Sequence, residues 1–164
     1  MIKAILACDD LGGVSKAGTM PWPKNSKDLK WFKKNTAGHT VIMGSTTWED
    51  PFMPGPLPKR TNILVTTRES DYPGAHKYIK GNLVEKIKNL EQRNQEEITW
   101  IIGGPNIIEQ TLNIIDEFYL SRISGEYGCD TFLPVKKIEA LFEKTWVENH
   151  GPVEFQIWKK RNPQ

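Results

Sequence analysis

The chain has 164 residues, a net charge of +2, 38% hydrophobic and 26% charged residues. That length suits one domain over residues 1–164 with a sizeable buried core, and the weak positive charge gives no ground for a nucleic-acid partner. No apolar run is long enough to span a bilayer and the start carries no basic, apolar and small-residue leader pattern, so the expectation is a cytoplasmic protein with no membrane partner.

Residues 4–8 form a short apolar run, read as a buried strand. Residues 9–19 hold Gly12, Gly13 and Gly18 and read as a flexible loop. Met20-Pro21-Trp22-Pro23 is stiff and non-helical. A helix follows over residues 26–35, capped by Asn25 or Ser26, with Asp28 in its first turn. Asp28, Trp31 and Phe32 then share a face.

Residues 40–44 are a second buried strand that runs into a helix start at Ser45-Thr46-Thr47. Pro51, Pro54, Pro56 and Pro58 make a rigid loop that ends at Arg60. Further strands are expected over residues 62–67, 78–79, 98–102 and 117–123. Helices are expected over residues 82–93 and from the Gly103-Gly104-Pro105-Asn106 turn to residue 112. Residues 142–149 and 153–160 read as an antiparallel hairpin around His150-Gly151-Pro152. Strands alternating with helices imply an α/β fold with a mostly parallel sheet, whose ligands lie at the carboxyl ends of the strands.

Two strand-to-helix turns resemble one another: Gly44-Ser45-Thr46-Thr47 and Gly103-Gly104-Pro105-Asn106-Ile107. Free amides at a helix start suit phosphate, and two such turns could hold a dinucleotide. Each is equally an ordinary connection, since neither is GxGxxG nor a P-loop. Thr66-Thr67-Arg68 could meet a further phosphate or be a surface turn. Arg60 could clamp a carboxylate or be one more surface arginine. By residue chemistry alone Asp28 reads first as a helix-capping acid. Lys24, Lys27, Lys30, Lys33 and Lys34 read as a solvated face or as an attractor of small anions. Cys8 and Cys129 read as reduced, packed thiols, and the three histidines lack metal-ligand spacing.

In order and spacing these motifs resemble the dihydrofolate reductase family over nearly the whole chain. They include Ala7, Met20-Pro21-Trp22, Asp28-Leu29-Lys30-Trp31-Phe32-Lys33, Val41-Ile42-Met43-Gly44, Thr47-Trp48-Glu49 and Pro56-Leu57-Pro58 with Arg60. Ile101-Ile102-Gly103-Gly104, Tyr119-Leu120-Ser121 and Asp130-Thr131-Phe132-Leu133-Pro134 complete the set. The resemblance implies a central eight-stranded, mostly parallel sheet with an antiparallel C-terminal hairpin strand and about four flanking helices. It also implies a monomer that reduces 7,8-dihydrofolate with NADPH.

The same resemblance implies the site. Asp28 would orient and polarise the pterin while water delivers the N5 proton, with Met20, Trp22 and Ser121 beside it. Ile5, Ala7, Phe32, Lys33, Phe52, Leu57, Arg60 and Ile102 would bind substrate, Arg60 by the glutamate carboxylate. The cofactor would meet Ala7, Val14, Ser15, Gly18, Met20, Gly44, Ser45, Thr46, Thr47, Thr66, Thr67, Arg68 and Lys80. It would also meet Ile102, Gly103, Gly104, Pro105, Asn106, Ile107 and Gln110. Residues 14–20 would form a lid, and Gly103-Gly104 is the family's site for a cis peptide.

The chain departs from the commoner pattern at Ser45 and Asn106, where many members are basic, at Ser15 in the lid, at Ile108, and in a short final hairpin turn. Thr66, Thr67 and Arg68 remain to meet the 2′-phosphate, so NADPH is expected over NADH. A related reductase of riboflavin synthesis and a ligand-binding module without turnover are the competing readings. Asp28 counts against the first and the filled catalytic positions against the second.

Overall fold

Successive side chains along a strand point to opposite faces, and here both faces are covered. The computed structural model describes residues 1–51 and 55–162. Its ten strands are β1 (Ile2–Cys8), β2 (Gly13–Ser15), β3 (Thr40–Gly44), β4 (Thr61–Val65), β5 (Lys77–Ile79), β6 (Thr99–Gly103), β7 (Glu117–Ile123), β8 (Thr131–Phe132), β9 (Phe142–His150) and β10 (Val153–Lys160). The helices are α1 (Ser26–Thr36), α2 (Ser45–Trp48), α3 (Leu83–Arg93), α4 (Pro105–Thr111) and α5 (Val135–Leu141). Eight strands form one sheet in the order β5-β4-β3-β6-β1-β7-β10-β9.

The β5-to-β7 part is parallel throughout, as the continuous apolar runs require. On one face Ile42, Ile63 and Ile101 pack with Leu83 and Ile87 of α3, Ile107 and Ile108 of α4 and Ile138 of α5. On the other, Ile5, Val41, Met43, Leu64, Trp100 and Ile102 pack with Trp31 and Phe32 of α1. Within α1, Trp31 stacks on Phe155 at 4.5 Å and on Trp146 at 5.7 Å, which docks the helix over β9 and β10. The lysines at 24, 27, 30, 33 and 34 are exposed.

The hairpin supplies the expected antiparallel edge, with β10 between β7 and β9 and β9 outermost. Three expectations change. The third predicted strand stops at Val65, because Thr66 and Thr67 turn away with Thr66 Oγ1 accepting from Arg68 N. Helix α5 was not expected, although Val135, Ile138 and Leu141 at intervals of three after Pro134 carry a helix signal. Residues 9–19 are not an irregular loop: β2 pairs with β8. Beyond β2, Lys16 and Thr19 exchange backbone bonds across Ala17 and Gly18, whose φ values of +50° and +82° suit a tight hairpin turn.

Candidate functional site

Open α/β sheets bind ligands at the carboxyl ends of their strands. Asp28 lies in the first turn of α1, whose Trp31 and Phe32 pack against the apolar cluster on this face of the sheet. Asn25 caps α1 by accepting from Asp28 N at 3.0 Å. The N-terminal cap is therefore already supplied, and the Asp28 carboxyl is left for another task. Burial pushes that carboxyl above its usual range, and a hydrogen bond with the Ser121 side chain pulls it partly back. No basic group pairs with it among the described residues. Ser121 is 1% exposed and faces Ala7 in the β1–β7 register.

The apolar residues predicted to meet substrate fall into two clusters. Ile5, Leu57 and Ile102 are buried in one cluster with Phe32 packed against it. Ala7 and Met20 pack against a second cluster that holds Trp22. Trp31 packs against both. Arg60 reaches the other end of α1: Nη1 donates to Thr36 Oγ1 at 3.0 Å and Nε to Pro58 O at 2.9 Å. Its guanidinium carbon lies 5.9 Å from the Phe32 ring centre. Asn62 braces the loop that carries Arg60, exchanging bonds with Leu57 N and O at 2.8 and 2.9 Å. Lys33 is exposed on α1. Phe52 lies outside the described residues.

The two glycine turns abut. Strand register sets Met43 beside Gly103. A Cβ on Gly44 would stand 3.2 Å from Ile107 Cγ1, and one on Gly103, at φ +133°, would stand 3.2 Å from Thr47 Oγ1. At Gly104 nothing lies within 4 Å of such an atom, so that backbone is bare toward open space. The Gly103-Gly104 peptide is cis. The bare backbone at Gly104 fits a ligand that approaches the main chain closely. Helix α2 is a single turn and α4 two turns, so the bare amides and the Ser45, Thr46 and Thr47 hydroxyls offer more than a helix dipole does.

Thr66-Thr67-Arg68 and Lys80 follow β4 and β5 along the same edge. Arg68 lies 4.0 Å from Asp71 and Lys80 3.2 Å from Glu69. Gln110 donates to Asn106 Oδ1 at 3.2 Å on the exposed face of α4. Pro105 opens α4. Ile107 is nearly buried, and Ile108 is fully buried in the larger core cluster with Val14.

At the near wall, Ser15, Gly18 and Met20 belong to the β2 hairpin segment. Asp130 accepts from Ala17 N at 2.9 Å, and Thr19 Oγ1 donates to Asp50, which follows α2, at 3.1 Å. Asp9 is the polar residue that sequence reasoning passed over; its signal was an acid placed directly after an apolar strand. Among the described residues no cluster could hold a metal ion, and no helix is long and apolar enough to cross a membrane. Both cysteines are free, and burial pushes the Cys8 thiol up to about 12.

Comparison with known proteins places this geometry. The family model described as dihydrofolate reductase matches residues 1–158. The chain is 34% identical over 151 residues to the dihydrofolate reductase of Haemophilus influenzae, covering 92% of this chain and 83% of that one. It is 29% identical over 164 residues to dihydrofolate reductase type 8 of Escherichia coli, covering 98% and 96%. A solved structure of the Enterococcus faecalis dihydrofolate reductase, complexed with NADP(H) and RAB-propyl, superposes with a TM-score of 0.79 at 25% identity, covering 99% and 97%.

Proposed function

The chain belongs to the dihydrofolate reductase family and is an NADPH-dependent oxidoreductase; on that premise we propose that it reduces 7,8-dihydrofolate to 5,6,7,8-tetrahydrofolate through the Asp28–Ser121 pair. The observation that carries this is a carboxyl pushed above its usual range by burial, with no basic partner among the described residues, on the same helix as Trp31 and Phe32, which pack against Ile5, Leu57 and Ile102. An acid in that state is costly unless a ligand satisfies it. The pterin's N3 and 2-amino group do so with two parallel hydrogen bonds, as an arginine fork would.

Ile5, Ala7, Phe32, Leu57 and Ile102 hold the flat ring and benzoyl group. Arg60 clamps the glutamate carboxylate, so three points of contact fix one orientation. Asp28 is on the pterin's far side from N5. It orients and polarises the ring, and a water between Met20, Trp22 and the pterin delivers the N5 proton. NADPH supplies the hydride when bound. Gly44 to Thr47 and Gly103 to Ile107 would hold its pyrophosphate, and Thr66, Thr67 and Arg68 its 2′-phosphate. Residues 14–20 exclude water over the nicotinamide. The product would feed one-carbon metabolism and thymidylate synthesis.

The direct test is loss of nicotinamide absorbance on adding dihydrofolate to purified protein and NADPH. Dependence on both compounds is expected; binding of both without turnover would overturn the assignment. Since Ser45 and Asn106 bring no charge to the 2′-phosphate, Arg68 carries most of that discrimination. Arg68→Ala is expected to lower the NADPH-to-NADH ratio of kcat/KM by ~10-fold, measured by parallel assays with the two cofactors.

A further inference from the structure

Asp9 follows β1 directly and is 1% exposed, the only fully buried carboxylate or basic side chain among the described residues. No cation pairs with it there, so dipoles must satisfy it. Oδ1 accepts from Leu11 N at 2.9 Å and Gly13 N at 2.8 Å. Oδ2 accepts from Tyr127 N at 3.2 Å and from the Cys129 thiol, with Sγ at 3.5 Å. Burial pushes the carboxyl up, and these donors pull it down further, leaving it below the usual carboxylate range.

Two of the four donors belong to the root of the lid and two to the loop between β7 and β8. The loops touch closely at this point: a Cβ on Gly13 would stand 2.5 Å from Cys129 Cβ. Tyr127, whose amide Asp9 holds, sets its ring edge-on to Trp22 with centres 5.9 Å apart. Met20 packs against the cluster formed around Trp22. The bond from Ala17 N to Asp130 holds only the outer part of the lid.

We propose that Asp9 is a positioning residue for the nicotinamide side of the site: its carboxylate ties the root of the lid to the 124–130 loop and, through Tyr127, sets Trp22 and Met20. The proposal rests on the reading of residues 14–20 as a lid over the cofactor. A carboxylate has enough lone pairs for all four donors, whereas an amide has one oxygen and turns a donor toward the other pair.

Asp9→Asn is therefore the test, with Ile87→Ala in distant α3 as a variant that loses core packing alone. Without ligand, hydrogen exchange of residues 11–20 and 125–130 is expected to quicken by ~10-fold in Asp9→Asn and to stay unchanged in Ile87→Ala. In titrations the NADPH Kd is expected to rise ~10-fold, against a dihydrofolate Kd within ~2-fold, with KM for NADPH rising in parallel. The proposal is overturned if lid exchange is unaltered, or if both ligands weaken equally. A wild-type chain that neither binds nor oxidises NADPH overturns the functional reading instead, and that is seen before any variant is made.

Discussion

Asp28→Asn is expected to lower turnover at neutral pH by at least ~10²-fold, because it removes the charge and one of the two pterin acceptors together. The same substitution is expected to raise the melting temperature of the ligand-free protein. Burial raises the folded-state pKa of Asp28 above its unfolded value. The stability that accompanies the protonated form is present below the unfolded pKa and is lost as pH rises through the folded pKa. At neutral pH the ionised, desolvated carboxylate is thus a net cost, which the neutral amide removes. The stabilisation should shrink as pH falls through that raised folded-state pKa and vanish below about 4, where the aspartate of the unfolded chain is protonated as well. Melting curves across that range, beside turnover assays, check both halves. Turnover within threefold of wild type would remove Asp28 from the mechanism, and an unchanged melting temperature would mean that its burial is relieved by contacts other than the substrate.

Arg60→Gln is expected to raise KM for dihydrofolate by ~10²-fold, since a charge-assisted clamp is worth about 2–3 kcal/mol. The kcat should change little, because the clamp lies at the far end of the crevice from Asp28. Two of the guanidinium's five N–H donors already serve Pro58 O and Thr36 Oγ1, which leaves three for a carboxylate. A substrate analogue without the glutamate separates clamp from scaffold. Its KM should be the same for wild type and Arg60→Gln. An equal loss with the truncated analogue would show that Arg60 acts by bracing α1 against the Pro56–Pro58 turn.

The parallel strands were readable because each is a run of apolar residues buried on both faces. Val41-Ile42-Met43 needs no partner information to declare itself. The β2–β8 pairing was not readable: Gly13-Val14-Ser15 and Thr131-Phe132 are too short to show alternation. Helix α5 had a weak signal in Val135, Ile138 and Leu141, and it was passed over beside the stronger hairpin that follows. At the site, Asp28 was singled out by its aromatic neighbours on one helical face, although spacing alone made it a cap. In the fold Asn25 takes the cap, Asp28 stays in the first turn, and Ser121 meets its carboxyl.

The residue order by itself determined the α/β class, the helix face that carries Asp28, Trp31 and Phe32, and the two glycine turns at strand ends. These depend on neighbours within a few positions, whose periodicity and turn chemistry are local. Tertiary structure alone decided that Ser121 lies beside Ala7, that β10 enters the sheet inside β9, and that Asp9 collects its donors. The bond from Tyr127 N to Asp9 joins residues 118 positions apart. No local pattern encodes such a pair, since it exists only after long-range strand pairing has offset the entropy of bringing distant segments together.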